Sequence, residues 1–362
     1  MSRLLEANPE AAAWVDQTKA ALCGQGAFAE TKGSVIWSDD TGPDGKQLVP
    51  IDPEALVKEI NTRGFPLFNG HDPGFPVGKV CAAALFHSAD GTKFVAAVLG
   101  YYNGTRLSFR DLGLDSIPAA ASPPYLPPLP DACWINFATD PRQIGSDWVE
   151  DTVRSAPLRV QSTTSSLNAV DSPHDLVTIG VLFLVLVWNP FVTAIATEAG
   201  KDVYAGMRTW FRHLFNKVSE LRDPILEIQA HHDDCYVSFI LRGKDVQGHY
   251  EAHDALPIAA VQVQCLITNM KRRGLAPKRL VYEYHRQDDK WFPSYAELFD
   301  DRLITDNALL IAIEQLPSSL SLGLHNAKDK AFLPTAKALR DRPHAVLVLE
   351  AEISSTRPDD DT

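Results

Sequence analysis

For 22 residues, 176–197 (LVTIGVLFLVLVWNPFVTAIAT), the chain carries no charged side chain. A run of that length is enough to cross a bilayer. Asn189-Pro190 interrupts it, and proline breaks or kinks a helix. The most apolar part, 176–188, has 13 residues and better suits a buried helix or strand. An amphipathic pattern follows in 198–221. Val203, Met207, Trp210, Phe211, Leu214 and Val218 share one helical face, with Lys201, Arg208, Arg212 and Lys217 opposite. Such a helix either packs on a domain or lies on an anionic membrane. Five Lys or Arg lie in 201–222 but only Arg159 in 155–175, so a spanning helix would leave its C-terminal side in the cytoplasm. The run therefore divides the chain, and contact with a membrane through 176–221 is one of its two readings.

A chain of 362 residues has room for two domains. With 45% apolar and 22% charged residues, each half can build a core. A net charge of -12 repels phosphate backbones, so no nucleic-acid partner is expected. The basic cluster Lys271, Arg272, Arg273, Lys278 and Arg279 reads as a helix C-terminus. Cys23, Cys81, Cys133, Cys235 and Cys265 are widely spaced and odd in number, which predicts free thiols and a reducing, cytoplasmic compartment. The first residues lack an apolar signal core.

Hydrophobic period predicts an α+β chain. The boundaries are an N-terminal helical segment 1–30, a β-rich domain 31–158, a polar linker 159–175, a hydrophobic and amphipathic helical segment 176–221, an α+β domain 222–353 and a disordered tail 354–362. In the β-rich domain, Asp52-Pro53-Glu54 opens a helix that Gly64 stops. Strands are expected at 34–38, 65–68, 77–86, 94–102 and 134–137. Six prolines in 118–130 require an extended loop. Farther on, strands at 225–230 and 236–241 flank a His231-His232-Asp233-Asp234 turn. A helix is expected over 252–273, then strands at 279–284, 308–313, 319–324 and 345–349, together an α+β sandwich.

The ordered sequence Phe65-Pro66-Leu67-Phe68-Asn69-Gly70-His71-Asp72-Pro73, then Pro76-Val77-Gly78-Lys79-Val80, then a hairpin ending at 95–99, resembles the N-terminal half of HK97-like phage prohead serine proteases. The resemblance implies the assemblin-like fold, a small β-barrel with helices. It implies a phage-related serine peptidase, active or degenerate, acting on a polypeptide substrate or protein partner. His71 takes the place of the catalytic histidine, general base toward a hydroxyl. The family's Gly-x-Ser-type nucleophile motif is absent. Ser108 is the best serine by type, and Thr139 the alternative by topology. The bland reading of His71-Asp72 is a loop His with an Asx turn. Gly78 fits a close backbone approach.

No cofactor or metal is expected. His231 and His232 are adjacent on a strand and diverge. His249 and His253 have ligand spacing, but Asp254-Ala255-Leu256-Pro257 looks like a helix start that breaks it. The aromatics of 291–295 with Tyr282 and Tyr284 either line a pocket or form a local core. The rival reading is a non-enzymatic regulatory or effector protein, in a phage-related or defence setting, whose C-terminal domain senses a partner. Self-association as a homo-oligomer is compatible with either.

Overall fold

A computed structural model describes residues 3–23, 27–41, 47, 51–69, 72–102, 107–114, 134–140, 143–164, 175–180 and 198–306. His71, the 118–130 loop, 181–197, the three strands expected after 307 and the tail lie outside the described residues. The described chain is α+β, with two sheets.

The segment 1–30 forms two helices, α1 (Arg3–Ala7) and α2 (Pro9–Cys23), and then enters β1 (Phe28–Ser38). Helix α3 (Pro53–Arg63) starts where its residues direct. Asp52 accepts from Ala55 N at 2.9 Å, Pro53 has no N–H to leave unpaired, and Gly64 closes the end at φ 67. Strands β2 (Phe65–Phe68), β3 (Pro76–His87) and β4 (Lys93–Tyr102) complete an antiparallel sheet ordered β1-β4-β3-β2.

This sheet replaces the expected small β-barrel; among the described residues no strand closes it. The reason lies in β4. Phe94, Ala96 and Val98 point to one face, which α1 and α2 cover through Leu5, Ala11 and Val15. Val95, Ala97 and Leu99 point to the other, which α3 covers through Ile60. A strand apolar on both faces belongs between two helical layers. A Cβ on Gly78 would meet the Gly100 carbonyl oxygen at 2.1 Å, so only glycine allows β3 to lie this close to β4.

The second sheet has eight strands, ordered β12-β11-β10-β9-β8-β7-β5-β6. Three parallel pairs are each joined across a helix. Strands β5 (Trp134–Thr139) and β6 (Arg159–Thr164) flank α4 (Ser146–Arg154). Strands β7 (Asp175–Gly180) and β8 (Pro224–His232) flank α5 (Glu198–Val218). Strands β9 (Cys235–Arg242) and β10 (Pro277–His285) flank α6 (Val246–Arg272). Antiparallel β11 (Lys290–Leu298) and β12 (Leu303–Ile304) finish one edge.

Two expectations are corrected here. The linker 159–175 begins as β6, a paired strand, and β5 belongs to the same sheet. The change of sheet therefore falls between Tyr102 and Trp134, not at 159–175. The segment 176–221 is not helical from its start, because Leu176 to Gly180 lie in β7. Polar composition misled at 159–164, where β6 forms one margin of the ordered sheet and its Gln161 and Ser162 stay exposed.

Helices α5 and α6 cover one face of the large sheet. Met207, Trp210, Phe211, Leu214, Phe215 and Val218 pack with Val177, Ile179, Leu226, Phe239 and Leu256 in its main core. The apolar stripe of α5 is thus used inside the fold. No described helix is long and apolar enough to cross a membrane. Phe75 and Tyr102 of the first sheet region cover the opposite face, against Ile225, Ile240, Val281, Tyr295 and Leu303. The large sheet is thus covered on both faces.

The expected break between His249 and His253 does not occur, because α6 runs through Pro257. Both imidazoles are buried against Phe215, with centroids 5.6 and 5.9 Å away. Burial between Phe211 and Phe215 pushes His253 down to about 4, an effect that Asp254 opposes and that Arg208 and Arg212 add to. Its folded value lies below the usual 6.5, so its neutral form stabilises the fold above pH 6.5. That contribution is lost as pH falls toward 4. Roughly 2 kcal/mol should go between pH 6.5 and pH 5. Urea melts across that range check it, and His253→Phe should flatten the dependence.

Candidate functional site at the seam and the cleft beside it

The two sheets meet along a seam of buried charge. On β9, Ile240 faces the first sheet and Leu241 faces the helices, so alternation turns Arg242 toward the first sheet. On β10, Val281 sets the same direction for Glu283. Opposite them lies the loop after β2. The two terminal guanidinium nitrogens of Arg242, Nη1 and Nη2, donate to the carboxylate of Asp72, Nη2 at 2.6 Å, and Nη2 also reaches Glu283 Oε1 at 3.1 Å. Asp72 is 3% exposed and also accepts from Gly74 N at 2.9 Å. Burial works against the Arg242 charge, but Glu283 and Asp72 outweigh it and hold the group more firmly protonated than usual. A Cβ on Gly74 would meet Arg242 Nη2 at 2.2 Å, so a larger residue there would have to displace the guanidinium.

Further bonds extend the seam. The Tyr295 hydroxyl donates to the Pro73 carbonyl at 2.8 Å. Lys79 on β3 pairs with Asp301 beside β12. Lys278 donates to the Arg63 carbonyl at 2.6 Å, and Arg279 lies over the Phe68 ring at 5.6 Å. Behind them, Glu227 is 3% exposed and accepts from Ser238 Oγ at 2.8 Å.

Strand β9 runs into α6 through a three-residue turn, and parallel β10 lies alongside. The carboxyl ends of adjacent parallel strands are where open α/β sheets place ligand clefts. A cleft of about 200 Å³ opens there, lined by Arg242, Asp245, His249, Glu283, Tyr284 and Arg286 among others. Asp245 caps α6, accepting from Gly248 N at 3.1 Å. Arg286 donates to Asp245 and, at 3.1 Å, to Glu251. His249 is 3% exposed, and burial lowers its pKa, so it is neutral near pH 7. Its Nε2 lies 3.3 Å from the Arg242 carbonyl oxygen. A carbonyl only accepts, so Nε2 carries the hydrogen and Nδ1 keeps a lone pair. That Nδ1 has no hydrogen-bond partner among the described residues.

The residues singled out by sequence are placed differently. Asp72 is engaged by Arg242, and position 71 next to it lies outside the described residues. The Ser108 hydroxyl donates to Asp306 and accepts from Asp111 N at 3.1 Å, a local turn beside β12. Thr139 ends β5 and is buried. It shares the strand face of Ile135 and Phe137, which is the face turned to the helices, whereas Asp72 lies against the other face. The structure therefore does not bring Thr139 to Asp72. His231 and His232 end β8, just before a tight turn in which Asp233 and Asp234 take φ 49 and 64. No group of three or more His, Cys, Asp or Glu among the described residues could hold a metal ion. Trp291 and Tyr295 are core residues, 3% and 0% exposed. Cys81 and Cys235 are pushed up by burial to about 11 and about 12, so neither is a ready thiolate nucleophile.

Sequence reading missed Arg242, Glu283 and Asp245. Gly243 followed by Asp245 is a turn-and-cap signal that could have placed the start of α6. No protein-family model, curated protein or solved structure matches the chain.

Proposed function

We propose that the protein is a non-catalytic regulatory protein, which binds a ligand in the cleft at the ends of β9 and β10 and relays its occupancy to the first sheet. One observation carries this reading. Arg242 lines the cleft and also holds Asp72 of the first sheet region. A ligand that changes how Arg242 divides itself between Asp72 and Glu283 alters the docking of the two sheets. Such sharing is the kind of differential contact that couples two sites.

The rival is the peptidase that the prohead-protease resemblance implies, with His71 as base and Ser108 or Thr139 as nucleophile. The neighbouring Asp72 serves as an anchor in our reading, and the Ser108 hydroxyl is committed to Asp306. A serine-reactive fluorophosphonate applied to the full chain separates the two. We expect no labelling of wild type above the level of Ser108→Ala. Labelling that His71→Ala abolishes would overturn the non-catalytic reading.

A further inference from the structure

We infer that the cleft binds a small organic cation, one bearing a guanidinium or primary ammonium group. The inference rests on the cleft being the binding site proposed above.

Charge comes first. The two guanidinium groups of the cleft, Arg242 and Arg286, are faced by four carboxylates: Asp72, Glu283, Asp245 and Glu251. His249 adds no charge, and Asp72 and Glu251 stand behind the lining, as does the exposed Lys244 on the connecting turn, so four carboxylates face three cations. The local surplus is negative and lies in the field of a chain of net charge -12. That field draws cations and opposes phosphate or carboxylate ligands.

Arg286 then shows what these carboxylates accept. Its side chain is 55% exposed, yet its guanidinium sits on both Asp245 and Glu251. It behaves as a tethered stand-in, tied to the protein and exchangeable with solvent. Arg242 differs, being held in the seam by Asp72 and Glu283. An incoming guanidinium or ammonium group can take the place of Arg286 on Asp245, and its charge beside Glu283 then competes with Arg242 for that carboxylate. The Tyr284 ring supplies an aromatic wall compatible with a diffuse cation.

An inorganic cation fits less well, because no set of three ligating groups converges among the described residues. A cleft of about 200 Å³ is also below the range of about 300–1,000 Å³ typical for drug-sized ligands, which favours a compact ligand.

Calorimetric titration of the full chain at low ionic strength with agmatine tests the inference. A Gly-Arg-Gly peptide in parallel tells a free cation from the side chain of a protein partner. Agmatine should bind wild type, and Asp245→Asn or Glu283→Gln should weaken it at least tenfold. Asparagine retains the cap of α6, so loss of binding in Asp245→Asn reports lost charge. Arg286→Ala removes the tethered competitor and should tighten agmatine binding. Tighter binding of the peptide would keep the cation and assign it to a partner. No binding to wild type or Arg286→Ala, or equal binding to all variants, overturns the inference. Binding of inorganic phosphate that is lost in Arg286→Ala would also overturn it, while leaving the cleft as a binding site.

Discussion

Replacing Arg242 with methionine should destabilise the protein by about 3–5 kcal/mol, read as a lower midpoint in urea unfolding. The effect comes from what is left behind. Asp72 is 3% exposed and cannot recover its hydration without opening the seam, and Glu283 also loses a cation. Truncating one partner of a buried pair strands the other, and this stranded charge carries most of the cost. Arg286→Met is the built-in comparison. Its ion pairs with Asp245 and Glu251 are solvent-screened, at 55% exposure of the arginine side chain. It should change stability by less than about 1 kcal/mol.

Phe215→Ala should cost about 3–5 kcal/mol, the range for deleting a buried aromatic ring. Phe215 is fully buried on α5, against Phe211 and the rings of His249, Tyr250 and His253. The cavity would lie between α5 and α6, whose backbones leave little room to collapse. This variant also separates the two readings of the amphipathic segment. A helix whose apolar face lay on a membrane would lose little stability in solution when that face is trimmed. A helix that closes the core of the large sheet would lose much.

The local grammar of the first sheet was legible in the sequence. Asp52-Pro53 and Gly64 delimit α3, 65–68 is a strand as expected, and Gly78 sits where a backbone approaches closely. These are effects of neighbouring residues, and neighbours are visible in sequence. Closure of that sheet was not legible. The apolar run of β4 suits a barrel wall or a strand between two helical layers, and only the packing of α2 and α3 decides between them. In the second sheet, the pattern showed strands but not that β5 and β6 belong with them, because parallel pairing joins residues far apart in the chain. Pro257 made α6 seem to start late, when Asp245 already caps it.

The candidate site was legible only in part. Asp72 was noticed, but as the neighbour of a histidine. Its partner Arg242 is 170 residues away, and no local signal links them. Glu283, on a strand read as ordinary, joins them only because β10 lies beside β9.

The account rests on Asp72 being the anchor of the first sheet on the second. The direct test is a double-mutant cycle with Asp72→Asn and Arg242→Met, followed by urea unfolding at pH 7. The account predicts that the double variant is about 2–3 kcal/mol more stable than the sum of the single losses would allow. Losses that add within about 0.5 kcal/mol would mean that the two residues do not act together, and would contradict it.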